Sequence, residues 1–111
     1  MKNRVKELRT EINLRQIELA EKVNTTQQTI SRIENGENTL PADTLIALAK
    51  FFGVSIDYIL CLTDSRRTYE TQIEYNDILE KNYRLCRSYE QLSTQNQDLI
   101  YKLIEQLNNG K

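Results

Sequence analysis

At 111 residues the chain has room for one domain, or for a small domain with an appendage. Fifteen Lys and Arg against 16 Asp and Glu leave a formal net charge of −1, so any positive surface must come from how the charges are distributed. Histidine is absent, the three glycines form no phosphate-cradling loop, and Cys61 and Cys86 show neither metal spacing nor a disulfide-dense pattern; no enzyme activity, cofactor or metal is expected. Nor is there a signal peptide or an apolar run near the ~20 residues of a membrane span, which points to a cytoplasmic protein.

In chain order, residues 2–11 read as a first helix with Val5, Leu8 and Ile12 inward. Asn13 can take a left-handed backbone before the second helix, whereas Arg15, at its capping position, has no acceptor to offer. In the second helix Ile17, Ala20 and Val23 share a face, joined by Leu19. Asn24-Thr25-Thr26 is a tight polar corner. Asn best tolerates a left-handed turn after Gly, and Ala20 is small where two steeply crossing helices come closest. The third helix runs from Gln27 to Asn35, with Thr25 or Thr26 as its cap and Gly36 closing it. Ile30 and Ile33 form its inner face, and Gln27, Gln28, Ser31 and Arg32 spread over the rest. Glutamine offers a donor and an acceptor together to adenine, and arginine a double donor to guanine, so this free face suits the reading of base edges in a major groove. After Leu40-Pro41 a fourth helix, Ala42 to Phe52, turns Leu45, Leu48, Ala49 and Phe52 inward. Gly53 caps it and Val54 packs behind. Ser55 caps a fifth helix with Ile56, Ile59 and Leu60 inward.

The phrases L-R-Q-I-E-L-A-E-K-V, T-T-Q-Q-T-I-S-R-I-E-N-G and L-I-A-L-A-K-F-F-G-V-S-I-D-Y-I-L together resemble the lambdoid phage repressor and Cro type of helix-turn-helix, the XRE family, over about residues 1 to 64. The resemblance implies a bacterial or phage-encoded regulator in which Gln27, Gln28 and Arg32 meet bases. It implies phosphate contacts from Gln16 and Asn35, with Thr26, Thr29 and Ser31 nearer the backbone and Asn38 and Thr39 within reach of it. It also implies a structural bridge between Arg9 and Glu34. The chain departs from the family pattern at Asn13, where Gly is common, at Arg15, where a Ser, Thr or Asn cap is common, and at Cys61, where Gly is common. A phosphate contact from Arg15 would compensate for its missing cap. Arg32 stands where an uncharged polar residue is usual, which favours a guanine in the operator. Residues 1–62 hold eight Lys/Arg and eight Asp/Glu, so one copy would grip phosphates weakly and a dimer is expected.

The polar stretch Thr63 to Thr68 reads as a hinge. Beyond it the sequence is strongly helical, with no Pro, and no Gly before Gly110. One reading is an unbroken helix with a heptad seam through Tyr75, Ile78, Asn82, Leu85, Tyr89, Leu92, Asn96, Leu99 and Leu103. The other, preferred because the last segment has a broad apolar face, breaks at Ser93-Thr94. It gives a sixth helix from Tyr69 to Gln91 and a seventh from Gln95 to Asn108, opened by a Thr94-x-x-Gln97 capping box. Either way the segment is too thin to bury its own stripes. Self-association is expected through Ile78, Leu85, Tyr89, Leu92, Leu99, Ile100, Leu103, Ile104 and Leu107; folding back on the first domain is the competing use of those stripes. The sequence therefore predicts an all-α protein: a five-helix repressor-like DNA-binding domain over 1–64, followed by a C-terminal helical oligomerisation segment over 65–111. The expected function is a sequence-specific double-stranded DNA-binding transcriptional regulator, a repressor acting as a homodimer on a palindromic operator. The alternative is an antitoxin or protein-interaction module with secondary DNA binding.

Overall fold

The structure, a computed structural model, describes residues 1–37 and 40–110. Its helices are α1 (Val5–Glu11), α2 (Gln16–Lys22), α3 (Gln27–Glu34), α4 (Ala42–Phe52), α5 (Ile56–Ile59), α6 (Tyr69–Lys81), α7 (Tyr83–Glu90) and α8 (Thr94–Asn109), and no strand is present among the described residues. The chain divides into two compact units, Met1–Glu74 and Tyr75–Lys111.

The first unit is made compact by its corners. Each of α1 to α5 ends in the same paired hydrogen bonds, with the N–H of one residue reaching back three positions and the next N–H reaching back five. They are Asn13 to Thr10 and Leu14 to Arg9, Asn24 to Glu21 and Thr25 to Ala20, Gly36 to Ile33 and Glu37 to Arg32, Gly53 to Lys50 and Val54 to Ala49, and Cys61 to Tyr58 and Leu62 to Asp57. This is the Schellman ending, which needs a left-handed residue after the helix and satisfies carbonyls the helix leaves open. Asn13, Asn24, Gly36, Gly53 and Cys61 have φ of 59°, 57°, 78°, 66° and 61°. Asparagine and glycine take that conformation readily; Cys61 takes it against the preference of a side chain with an ordinary Cβ.

The corners turn short helices onto one core: Val5, Leu8, Leu19, Ala20, Val23, Ile30, Ile33, Leu48, Ala49, Val54 and Ile59 are buried. Leu45, Phe52 and Ile56 are partly buried against it. Three expected core residues are not there: Leu60, the C-cap residue of α5, is only half-buried, and the other two are exposed. Ile12 and Ile17 are 51% and 50% exposed. Ile12 is the C-cap residue, where α1 has already given way to the turn. Ile17 lies roughly 110° around α2 from the centre of the Leu19–Ala20–Val23 stripe, at 100° per residue.

The expected hinge at Thr63 to Thr68 is instead a strap fastened to the first unit. The Arg4 guanidinium donates to the carbonyls of Tyr58 and Thr63 and to Asp64 Oδ1. Arg66 pairs with both oxygens of Glu11 at 3.1 and 2.8 Å. Ser55 N–H donates to the Arg67 carbonyl at 2.7 Å, and Tyr58 N–H donates to Ser55 Oγ at 3.0 Å, so the buried Ser55 is satisfied. The Tyr58 ring lies under the Arg4 guanidinium at 4.1 Å and near that of Arg66 at 5.8 Å. Tyr69 packs against the core, with Lys50 Nζ 5.5 Å from its ring. Polarity signalled flexibility in the sequence, but these polar groups are occupied by long-range partners. The first unit accordingly runs to Glu74, past the expected boundary at 64.

The long helix expected from Tyr69 to Gln91 is interrupted at Asn82. Its N–H is shared between the carbonyls of Ile78 and Leu79, at 3.1 and 3.2 Å, and its Nδ2 donates to Ile78 at 2.9 Å. An asparagine side chain that competes for its own helix's carbonyls loosens the turn. The chain breaks again before α8, so the uninterrupted heptad seam is not formed. The break lies one residue earlier than the Thr94 capping box requires: Ser93 is the cap, its Oγ accepting from Asn96 N–H at 3.2 Å. Gln97 turns away to donate to the Tyr89 carbonyl at 3.0 Å, and Tyr89 Oη donates to the Gln97 carbonyl at 3.3 Å. That reciprocal clamp fixes the α7–α8 corner. No residue of α6, α7 or α8 is buried.

Candidate nucleic-acid interface

The third helix is held from both sides. Thr26 caps its start, its Oγ1 accepting from Thr29 N–H at 3.1 Å. Ile30 and Ile33 anchor its inner face in the core. Its outer face leaves Gln27, Gln28 and Arg32 exposed, with Thr29 and Ser31 half-buried at its edges. Asn35, the C-cap residue, is exposed.

Polar side chains brace the helix as well. Arg9 Nε donates to Glu34 Oε2 at 2.6 Å, Arg9 Nη2 to Glu34 Oε1 at 2.9 Å, and Arg9 Nη1 to the Leu14 carbonyl at 2.8 Å. The Glu34 side chain is only 2% exposed, so this bidentate pair supplies the compensation a buried carboxylate requires. The hydrogen bond to Glu34 holds the Arg9 guanidinium above its ordinary pKa, against the opposing effect of burial. Glu34 Oε1 also accepts from Gln16 Nε2 at 3.1 Å, and Gln16 Oε1 accepts from Gln27 Nε2 at 2.7 Å. A polar relay thus runs from α1 through the end of α3 to the start of α2 and back to the first residue of α3. Gln27 retains its Oε1 and one amide N–H for an outside partner. Preorganisation of this kind lowers the side-chain entropy lost on binding.

Arg15 stands at the N-cap of α2 with an extended backbone, and its exposed guanidinium lies 3.0 Å from Glu18 Oε1. Glu18 Oε1 also accepts from Arg15 N–H at 2.9 Å, forming the half of a capping box that needs no acceptor on residue 15. The backbone N–H first, and then the guanidinium, hold the Glu18 carboxyl below the ordinary glutamate range. Glu18 was missed in reading the sequence, although a Glu three residues after a cap position is itself a signal. Asn3 was missed too: Oδ1 accepts from Val5 N–H at 3.1 Å and Nδ2 donates to the Ile33 carbonyl at 2.8 Å, joining the start of α1 to the end of α3. The expected phosphate contacts Asn38 and Thr39 lie outside the described residues.

A helix-turn-helix family model matches residues 5–59, the span from the start of α1 to the end of α5. An uncharacterized HTH-type transcriptional regulator of Bacillus subtilis strain 168, YobD, is 33% identical over 88 residues, covering 74% of this chain and 79% of the relative. A second, MJ0272 of Methanocaldococcus jannaschii, is 41% identical over 64 residues, covering 58% of this chain and 97% of the relative. The chain belongs to the XRE-type helix-turn-helix family.

This XRE-type protein is a DNA-binding transcriptional regulator with an all-helical fold. Its balanced charge has a structural counterpart: Arg4, Arg9 and Arg66 are engaged by Asp64, Glu34 and Glu11 within the first unit. Among the described residues of the regulator no helix is long and apolar enough to cross a membrane, and no group of His, Cys, Asp or Glu is arranged to hold a metal ion. Of the residues expected to join two copies, Ile78, Leu85, Leu92, Leu99, Ile100, Leu103, Ile104 and Leu107 are exposed. Tyr89 is half-buried, its hydroxyl bound to Gln97.

Proposed function

We propose that the chain is a sequence-specific repressor that acts as a homodimer on a palindromic duplex, with Gln27, Gln28 and Arg32 reading bases. Phosphate contacts come from Arg15, Gln16, Thr26, Thr29, Ser31 and Asn35, and from Asn38 and Thr39. The observation that carries this reading is the polar outer face of α3, free of the core yet held by the Arg9–Glu34–Gln16–Gln27 relay. Two copies are needed because one unit of balanced charge neutralises few phosphates. The tail, residues 65–111 in the sequence reading, supplies the second copy's contact: Leu99, Ile100, Leu103, Ile104 and Leu107 make a continuous apolar stripe on α8 that its own unit leaves exposed.

The test is selection of bound duplexes from a random-sequence pool by the full chain, with the mass of the free protein measured by light scattering. The expected product is two inverted half-sites about 34 Å apart, or a multiple of that, bound by a species of twice the chain mass. Retention of no duplex at low salt refutes the reading. A monomer that binds DNA indifferently to sequence favours the alternative, an interaction module or antitoxin whose α8 stripe captures a different protein.

A further inference from the structure

The ending of α3 differs from the other four in one respect. Its hydrogen bonds, Gly36 N–H to Ile33 at 3.0 Å and Glu37 N–H to Arg32 at 3.1 Å, fold Glu37 back over the turn that carries Arg32. Gly36 makes this possible with φ of 78°. In a Schellman ending the two residues so juxtaposed commonly make an apolar contact. The other endings bring together Leu14 with Arg9, Thr25 with Ala20, Val54 with Ala49 and Leu62 with Asp57. Only α3 sets opposite charges there, and Glu37 Oε2 lies 3.7 Å from Arg32 Nε.

Stability does not account for the pair, because the two side chains are 67% and 57% exposed and exposed pairs contribute little. Electrostatics alone would disfavour it, because a carboxylate beside a DNA-facing helix repels phosphates. Orientation does account for it. A guanidinium is a planar fork of five N–H donors. The ion pair is made from the Nε side of the guanidinium, at 3.7 Å and so without a hydrogen bond, which leaves the edge carrying Nη1 and Nη2 open for a double contact to O6 and N7 of guanine.

We propose that Glu37 is a positioning residue for base readout. Its carboxylate, at ion-pair distance from Arg32 Nε, draws that side of the guanidinium so that the two Nη groups face guanine end-on, and it lowers affinity for duplexes that offer no guanine there. This rests on Arg32 reading a base.

The test uses the full chain, a duplex selected from a random pool by the wild type, and single-base variants of that duplex at every position, read by fluorescence anisotropy. Arg32→Ala identifies the base pair whose preference it abolishes. Glu37→Gln is expected to reduce the preference for guanine at that same pair by about three- to tenfold, to leave preferences elsewhere unchanged, and to tighten binding to unrelated duplexes. If Glu37→Gln tightens every duplex by one common factor, Glu37 is only a repelling charge and the proposal fails while the base reading stands. If Arg32→Ala changes no preference at all, the base reading itself fails and takes the proposal with it. Thermal melting of each variant separates these outcomes from loss of fold.

Discussion

The two units use similar helical sequence to opposite effect. In Met1–Glu74, helices of 4 to 11 residues lie between left-handed corners and bury Leu8, Leu19, Ile30, Ile33, Leu48 and Ile59 to 1% exposure or less. In Tyr75–Lys111, α8 is longer, at 16 residues, yet Leu99, Leu103 and Leu107 on it are 63%, 49% and 65% exposed. Helix length is therefore not what buries a stripe. A helix needs neighbours returned onto it, and among the described residues none beyond Cys61 has the positive φ that makes the first unit's tight returns. The first unit buries its apolar faces; the second leaves its own exposed.

The sharpest way to break this contrast is at the buried ion pair. Arg9→Ala leaves Glu34 buried and uncompensated, and is expected to destabilise the first unit by about 3–5 kcal/mol, read from urea denaturation. A loss below about 1 kcal/mol on the surface-pair scale would mean the relay is not held in a dry site. A pair of matched truncations compares the units directly. Leu48→Ala should cost about 2–5 kcal/mol at any protein concentration, whereas Leu103→Ala should cost little in the monomer and shift the unfolding midpoint only at concentrations where copies associate. Equal, concentration-independent costs would contradict the difference drawn here.

A gain is expected at the one strained corner. Cys61→Gly removes an ordinary side chain from a left-handed position and should stabilise the first unit by about 1 kcal/mol, seen as a higher melting temperature; a lower one would show that the side chain contributes packing that outweighs the strain. The smallest effect concerns the strap. The Arg66 guanidinium, chiefly by hydrogen bonding, holds the Glu11 carboxyl below its ordinary value. A lowered folded-state pKa makes the contribution fully present above the ordinary glutamate pKa and lost as pH falls through the lowered one. Protection of the amides at residues 63–69, taken relative to the intrinsic exchange rate at each pH, should therefore fall on acidification in the wild type, and Glu11→Gln should remove the acid-dependent part. The same acid response in both proteins would detach the strap from this pair.

Much of this was legible locally. Asn13, Asn24, Gly36 and Gly53 announce left-handed helix ends because few other residues adopt them easily, and the apolar spacing around Leu8, Ile30, Ile33 and Leu48 announces an inward face. The exposed positions of Gln27, Gln28 and Arg32 follow from the same periodicity, since α3 can bury only the side that carries its isoleucines. The break before α8 was legible to within one residue, because Ser93 and Thr94 are both competent caps and backbone geometry chooses between them.

Other features depend on residues far apart in the chain. Composition made Thr63 to Thr68 look like a hinge, yet Arg4, Glu11 and Ser55 fasten it from as many as 60 positions away. Ile12 and Ile17 are apolar enough for the core and were left outside it by where a helix ends and which way its stripe turns. The helices up to α5, the corners at Asn13, Asn24, Gly36 and Gly53, and the family could be read from the residues alone, because these depend on side-chain size, φ preference and spacing over a few residues; the break at Asn82 could not. The strap and the Arg9–Glu34–Gln16–Gln27 relay are visible only in the folded chain, because a hydrogen bond forms only when the fold has brought its donor and acceptor together.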